Sequence, residues 1–337
     1  MAIRIALDAV GGDNAPREVL LGAQEVIREG LVEVILVGSP RVVQPHIDEL
    51  ALPPEHCRLH PAEEVVGMDE TASFSLRKRD SSIQEGLRLV VEGQADAFLS
   101  AGNTGAVMAA ALLAFGRLEG VKRPPLAAIL PGREGPVFLV DAGANVDCSS
   151  EQLLQFALLA ERFVSLDRGI EHPRVALLSN GEEGHKGNDV VKRAHEMLAT
   201  SGLRFVGNIE GKDILQNMAD VVVADGFLGN VALKAMEGTV EVIFQLLDKE
   251  IGASIRYKTG ALLLRPVISA IKERMDYSKI GAAPLLGLNG LAFISHGRSR
   301  APAFANGIRL AARAVEHDIV RAMRASLAQY GEQRSGT

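Results

Sequence analysis

Seven short apolar runs, each ending in a turn built from Gly, Asp, Asn or Ser, constrain this chain more than any other feature. Residues 3–7 lead into Asp8 and Gly11-Gly12-Asp13, 34–37 into Gly38-Ser39, 97–99 into Ser100-Ala101-Gly102 and 137–140 into Asp141-Ala142-Gly143. Residues 175–178 lead into Ser179-Asn180-Gly181, 221–224 into Asp225-Gly226 and 291–294 into Ser295-His296-Gly297. Between them lie helical patterns over residues 17–28, 82–92, 105–115, 151–164, 190–200 and 230–247. Continuous apolar strands alternating with helices define an α/β chain: a mostly parallel sheet covered by helices on both faces. Ligands bind beyond the carboxyl ends of such strands, where these glycine turns lie. No fixed repeat and no Pro/Ser-rich linker divides the sequence, so residues 1–337 read as a single unit.

Composition narrows the function classes. Aromatics make up 4% and Trp is absent, so stacking platforms for single-stranded nucleic acid are scarce. The net charge of −6 argues against a general nucleic-acid binder, which needs clustered Lys and Arg. Cys57 and Cys148 stand far apart, as in a chain of a reducing, cytoplasmic compartment. The N-terminus lacks a signal-peptide pattern, and no apolar run reaches the roughly 18 residues of a membrane span, so any membrane contact is expected to be peripheral.

Five motifs carry polar groups to strand ends. In the first, Gly102-Asn103-Thr104-Gly105 precedes an Ala/Leu-rich helix whose unpaired N–H groups suit an anion, or are simply capped. In the second, Asp141-Ala-Gly-Ala-Asn145-Val-Asp-Cys148, Asn145 can orient a phosphate or a carbonyl, or these residues serve the turn alone. An acyl-Cys148 intermediate is disfavoured, because no His partner lies nearby in sequence. The third, Gly181-Glu-Glu-Gly-His-Lys-Gly-Asn188, crowds His185, Lys186 and Asn188 into one loop. Lys186 and Asn188 can stabilise a developing oxyanion and His185 can move protons, or the loop is a solvated connection. The fourth runs from Asp225 through Gly229 and Asn230 to Lys234; Asn230 either caps a helix or donates to substrate. The fifth holds Gly287 and Asn289, with His296 after the next strand, and its small residues admit a ligand chain or a pantetheine arm. No metal-ligand spacing, Walker loop or dinucleotide fingerprint is present.

Residues 254–279 differ in character. Arg256, Lys258, Arg265, Lys272, Arg274 and Lys279 face two acids, Glu273 and Asp276. Leu262, Leu263 and Leu264 precede Pro266, and Ile268 and Ile271 follow it. A basic amphipathic segment interrupted by Pro suits a membrane surface, an acidic partner or an oligomer interface.

The five motifs in this order, with the opening Ile5-Ala-Leu-Asp8-Ala-Val-Gly-Gly-Asp13-Asn-Ala-Pro16 and the segments Arg77-Lys-Arg-Asp80-Ser-Ser82 and Gly207-Asn-Ile-Glu-Gly211, resemble the bacterial phosphate acyltransferases of phospholipid synthesis. The resemblance covers nearly the whole chain. It implies a fold similar to phosphotransacetylases and isocitrate-dehydrogenase-type enzymes, a homodimer, and neither cofactor nor metal. It also implies peripheral contact with the inner face of the cell membrane through the segment matching 254–279. The implied reaction transfers a long-chain acyl group from a carrier-protein or CoA thioester to inorganic phosphate, supplying a downstream acyltransferase that uses acyl phosphate. Lys186 and Asn230 match the positions that matter most for catalysis. Gly184-His185, Arg298 and Arg300 depart from the family pattern. Two alternatives remain: a short-chain phosphotransacetylase acting on acetyl-CoA, and a non-catalytic scaffold of lipid synthesis.

Overall fold

The computed structural model describes residues 2–275 and 281–335. Lys279 and Asp276 of the basic segment lie outside the described residues. The mostly parallel, helix-covered arrangement is present, divided between two sheets. The first sheet begins with β1 (Ile3–Asp8), α1 (Arg17–Arg28), β2 (Val32–Gly38), α2 (Pro40–Leu50) and β3 (Cys57–Pro61). It continues through α3 (Ala72–Ser75), α4 (Ser82–Val91) and β4 (Ala97–Ser100). Helix α5 (Thr104–Phe115) then leads to the second sheet. That sheet comprises β5 (Ala127–Pro131), β6 (Pro136–Val140), α6 (Ser150–Arg168), β7 (Val175–Leu178), α7 (Asp189–Ala199), β8 (Phe205–Ile209) and β9 (Val221–Val223). Two long helices, α8 (Gly226–Gly252) and α9 (Ile255–Met275), precede a return to the first sheet. There β10 (Ala282–Pro284) and β11 (Ala292–Ser295) complete it, and α10 (Ala301–Glu316) and α11 (Ile319–Ser335) close the chain.

The strand orders are β10-β11-β4-β1-β2-β3 and β5-β6-β9-β7-β8. Pairing is parallel except between β10 and β11 and between β5 and β6. The first sheet is thus built from both ends of the sequence, and one continuous apolar cluster joins Ile5 and Leu7 to Phe138, Phe163 and Val221 of the second. Each large side chain in it contributes about 1.5–3 kcal/mol by leaving water. Helix α1 buries Val19, Leu20, Ala23, Val26 and Ile27 along one stripe. Gly22 lets that stripe approach α10: a Cβ there would come within 2.5 Å of the Phe304 Cβ.

Two local expectations are corrected. Asn230 does not cap its helix. Helix α8 begins four residues earlier, where the Asp225 carboxylate accepts the Leu228 N–H at 2.9 Å. Pro266 does not interrupt the basic segment, which forms one helix through it. Pro266 and Leu262 are both exposed, so the carbonyl that loses its helical partner faces water.

Candidate active site

A cleft of about 710 Å³ opens between the two sheets. One wall comes from the second sheet and α8. After β6, the Asp141 carboxylate accepts N–H groups from Leu126 (3.0 Å), Gly143 (3.2 Å), Ala144 (3.0 Å) and Asn145 (2.7 Å), and the Asn145 side-chain amide at 2.8 Å. Burial nevertheless raises its pKa above the usual carboxylate value. Helix α8 starts against this turn only because two of its first residues are glycine. A Cβ on Gly229 would lie 1.9 Å from the Asp141 carbonyl oxygen, and one on Gly226 would lie 2.5 Å from that of Asn145. The close approach sets Asn230 beside Gly143. From Asn230 onward, Leu233, Lys234, Glu237, Val240, Glu241 and Phe244 recur at helical spacing and line the cleft.

The facing wall comes from the first sheet. Asp8, fully buried, accepts the N–H groups of Val10 (3.2 Å) and Gly11 (3.0 Å) and the Ser100 hydroxyl (2.6 Å). The turn it fastens reaches across to the loop after β11, where Asp13 donates its N–H to Gly297 O at 2.8 Å. That loop presents His296 and Arg298, and the start of α5 adds Thr104. The Arg298 N–H donates to His296 Nδ1 at 3.1 Å. The neutral imidazole therefore carries its proton on Nε2. Burial, Lys234 and Arg298 hold the His296 pKa below its ordinary value of 6.5 against the opposing pull of Glu237 and Asp13. Lys234 pairs with Glu237 at 2.7 Å. This part of the cleft is thus cationic and donor-rich. The lining also holds an apolar series, Leu126, Ile129, Leu233, Val240, Phe244 and Met275, beside which stand Glu241 and Lys272.

The sequence-derived residues divide. Thr104, Asn230 and His296 meet in the cleft. Asn103 caps α5 by accepting the Ala106 N–H and spends its amide on the carbonyls of Gly67, Met68 and Glu70. Asn145 is buried and locks the Asp141 turn to the Pro124 carbonyl. Asp225 is a helix cap, and Gly102 is buried with its N–H on Ser100 Oγ. Gly105 lines a second cavity beyond Thr104. Gly287 packs toward Val121 and Leu159, while Asn289 donates to the Arg117 carbonyl and accepts from Arg324. His185, Lys186 and Asn188 do not line the cleft. They follow β7, on the same carboxyl edge of the second sheet as Asn230. There Lys186 is exposed and lies over Gly181, and Asn188 caps α7 through the Val191 N–H.

Sequence reading gave Lys234, at the end of the fourth motif, no role and missed Glu237. The available signal was spacing, since they stand four and seven residues beyond Asn230 on one helical face. Cys148 is half-buried and burial pushes its thiol up to about 11, away from a reactive thiolate. Glu182, Glu210 and Asp213 bring three carboxylates together elsewhere, with Lys212 paired to Glu210 among them.

The basic segment projects with α8 as a helical hairpin. Lys272 bonds Asp248 at 2.9 Å and stands 5.5 Å from the Phe244 ring centre, where it also borders the cleft. Arg274 donates to the Arg133 carbonyl, and Ile268 is half-buried. Leu262, Leu263, Leu264 and Ile271 are exposed, Leu263 by 81%, and Arg256, Lys258 and Arg265 are exposed among them. Among the described residues, no helix is long and apolar enough to cross a membrane.

Residues 3–322 match a family model described as fatty acid synthesis protein. A phosphate acyltransferase of Carboxydothermus hydrogenoformans is 46% identical over 93% of this chain and 94% of its own. Another, from Thermodesulfovibrio yellowstonii, is 44% identical over 98% and 96%. Among solved structures, a phosphotransacetylase from Streptococcus pyogenes superposes with a TM-score of 0.63 at 20% identity, covering 94% of each chain. The EutD phosphotransacetylase from Staphylococcus aureus gives 0.61 at 18% identity, covering 93% of this chain and 94% of its own. These two likenesses concern the fold. The sequence matches span almost the entire chain, which belongs to the fatty acid synthesis protein family that includes these bacterial phosphate acyltransferases.

Proposed function

We propose that this chain transfers an acyl group from a thioester to inorganic phosphate, giving acyl phosphate for phospholipid synthesis. The observation that carries this reading is the mixed lining of one cleft: Thr104, Lys234, His296 and Arg298 together with an apolar series along α8. Phosphate sits against Lys234, Arg298, His296 Nε2–H and Thr104. The acyl chain lies toward Leu233, Val240 and Phe244, which favours a long-chain over an acetyl donor. From Asn230 to Phe244 the helix runs about 21 Å, enough for an extended long chain.

Phosphate oxygen attacks the thioester carbonyl, a C–O bond forms, and the C–S bond breaks as the tetrahedral intermediate collapses. The thiolate leaves and takes up a proton. Phosphate is already anionic at neutral pH, so no strong protein base is required. Asn230 donates to the developing oxyanion, an interaction worth about 10²–10³ in rate. Lys186, outside the cleft on the neighbouring loop, is assigned a supporting positive charge for that oxyanion, with His185 beside it and Asn188 capping α7. Thr104 and His296 fix the nucleophile, and positioning lowers much of the remaining barrier.

The donor is a carrier-protein or CoA thioester. The exposed leucines and cations of α9 hold the enzyme to the inner face of the membrane, each cation near an anionic surface contributing about 1 kcal/mol. There acyl phosphate passes to the next acyltransferase, and the working unit is a homodimer. Incubation with palmitoyl thioester, phosphate and hydroxylamine tests the reaction. Phosphate-dependent hydroxamate that disappears in Asn230→Ala supports it. Transfer to acetyl groups alone would move the reading to a short-chain phosphotransacetylase.

A further inference from the structure

A second cavity, of about 440 Å³, lies on the far side of the same strand-end turns. The two cavities abut along the chain. Thr104 and Gly143 line the cleft, and the next residues, Gly105 and Ala144, line the second cavity. Ala283 and Leu285 are shared out in the same way on β10 and the residues after it. A bridge between Leu126 and Leu285 forms the seam between them.

The second cavity is amphipathic. Met108, Ala109, Leu112 and Leu285 supply an apolar floor. Arg117, Lys122 and Arg123 supply a cationic rim, and all three are exposed. Among the described residues, none of their side chains has a carboxylate within 4.0 Å. Three cations at one mouth, with Glu151 acting on Lys122 at longer range, are a notable local charge in a chain of net charge −6. The Arg117 guanidinium donates to the Lys122 carbonyl, which fixes the rim's shape without consuming its charge. The Lys122 N–H and the Gly120 carbonyl are both held by the Gln155 side chain of α6, at 3.2 and 2.8 Å. The rim therefore hangs on a rigid helix of the second sheet.

We propose that this cavity receives the phosphate-bearing arm of the thioester donor: the phosphodiester at the arm's root docks on Arg117, Lys122 and Arg123. The amide-containing arm crosses the apolar floor, and the thioester passes Gly105 and Ala144 into the cleft. The inference rests on the acyl-transfer reading, since only a thioester arm need connect the two cavities. Its chemistry is that of a phosphopantetheine, common to a carrier protein and to CoA. Guanidinium and ammonium groups suit a phosphodiester, and the floor suits a thin, partly apolar chain. Phosphate substrate and donor arm thus enter from opposite sides of the Thr104–Gly105 and Gly143–Ala144 seam, so neither obstructs the other.

The test measures binding without turnover, so its result stands whether or not acyl phosphate is produced. Phosphopantetheine and pantetheine are titrated into the wild-type protein and into Arg117→Ala/Lys122→Ala/Arg123→Ala, at low and high salt. Wild type should bind phosphopantetheine about tenfold more tightly than pantetheine at low salt and lose that preference at high salt. The triple variant should bind both alike, with inorganic phosphate binding unchanged. Equal affinity of wild type for the two ligands, or a preference that survives the triple substitution, overturns the assignment. In turnover, the variant should raise KM for palmitoyl-CoA and palmitoyl-carrier protein together, with kcat retained. A rise confined to the carrier protein would overturn the arm assignment in favour of protein-surface docking. A wild type that binds phosphopantetheine by these cations yet makes no acyl phosphate would sink the acyl-transfer reading and leave the site standing.

Discussion

The two walls of the cleft are fastened by the same device, a buried aspartate at the end of a parallel strand, yet they are held with different stiffness. Asp141 binds its own turn through four N–H groups and the strand beside it through the Leu126 N–H, and α8 packs directly on that turn at Gly226 and Gly229. Asp8 accepts the Val10 and Gly11 N–H groups and the Ser100 hydroxyl, with Ser82 also bearing on it, and its turn supports the facing wall at one remove, through the Asp13 N–H and the Gly297 carbonyl. The rigid wall carries Asn230 and the apolar series, where an oxyanion donor must be placed to a fraction of an ångström. The other wall carries His296 and Arg298, and the anion that the proposed reaction places there tolerates adjustment.

Substitutions can break this comparison, and the largest effect falls on the rigid wall. Gly229→Ala drives a methyl into the Asp141 carbonyl, so hydroxamate formation should fall at least 10²-fold, with α8 displaced. Asp141→Ala should cost about 3 kcal/mol or more, because several buried N–H groups lose their acceptor. Chemical denaturation checks it, and a loss under about 1 kcal/mol would show that the turn holds itself. Asp8→Ala removes fewer contacts and should cost about 2 kcal/mol. In activity it should raise KM for phosphate more than KM for the thioester. Equal effects on both substrates would erase the distinction between the walls.

His296 supplies a gentler probe of the looser wall. Its folded pKa is depressed, so the folded protein resists a proton that the unfolded chain accepts near 6.5. Its contribution to stability is therefore complete above that value and declines as pH falls toward the folded pKa. Protonation would also set an Nδ1–H against the Arg298 N–H. KM for phosphate should rise on acidification below 6.5, and His296→Gln should flatten that rise. The groups facing the ring are Lys234, Arg298, Glu237 and Asp13. The smallest effect belongs to Cys148→Ala, which should change the rate less than about twofold, since its thiol is half-buried and pushed up to about 11.

The same contrast explains what was legible in the sequence. Strand ends, turns and six helices could be read because they are written in local periodicity, and Val175–Leu178 and Arg17–Arg28 appear in the structure with the bounds read from sequence. Cys57–Pro61 left no comparable signal because Arg58 and His60 break its apolar pattern, whereas the apolar run Ala127–Pro131 before Gly132 carried the signal and went unread. The division into two sheets was hidden, because β10 and β11 join β4 across nearly two hundred residues. At the site, Asn230 and His296 could be named as polar groups at strand ends. Asn103, Asn145 and Asp225 could be named equally well, yet each is consumed by a cap or a turn, and composition alone does not separate the two uses. Gly229 could be named as part of the fourth motif, but only the distance to the Asp141 carbonyl reveals the close approach that requires it.

The most direct measurement is the yield of hydroxylamine-trapped acyl phosphate from palmitoyl thioester and phosphate, compared between wild type, Asn230→Ala and Lys234→Ala. The two-walled cleft predicts phosphate-dependent product from wild type. Asn230→Ala should lower kcat about 10²-fold, and Lys234→Ala should act chiefly on KM for phosphate. Undiminished product from both variants would contradict the claim that the reaction takes place in this cleft.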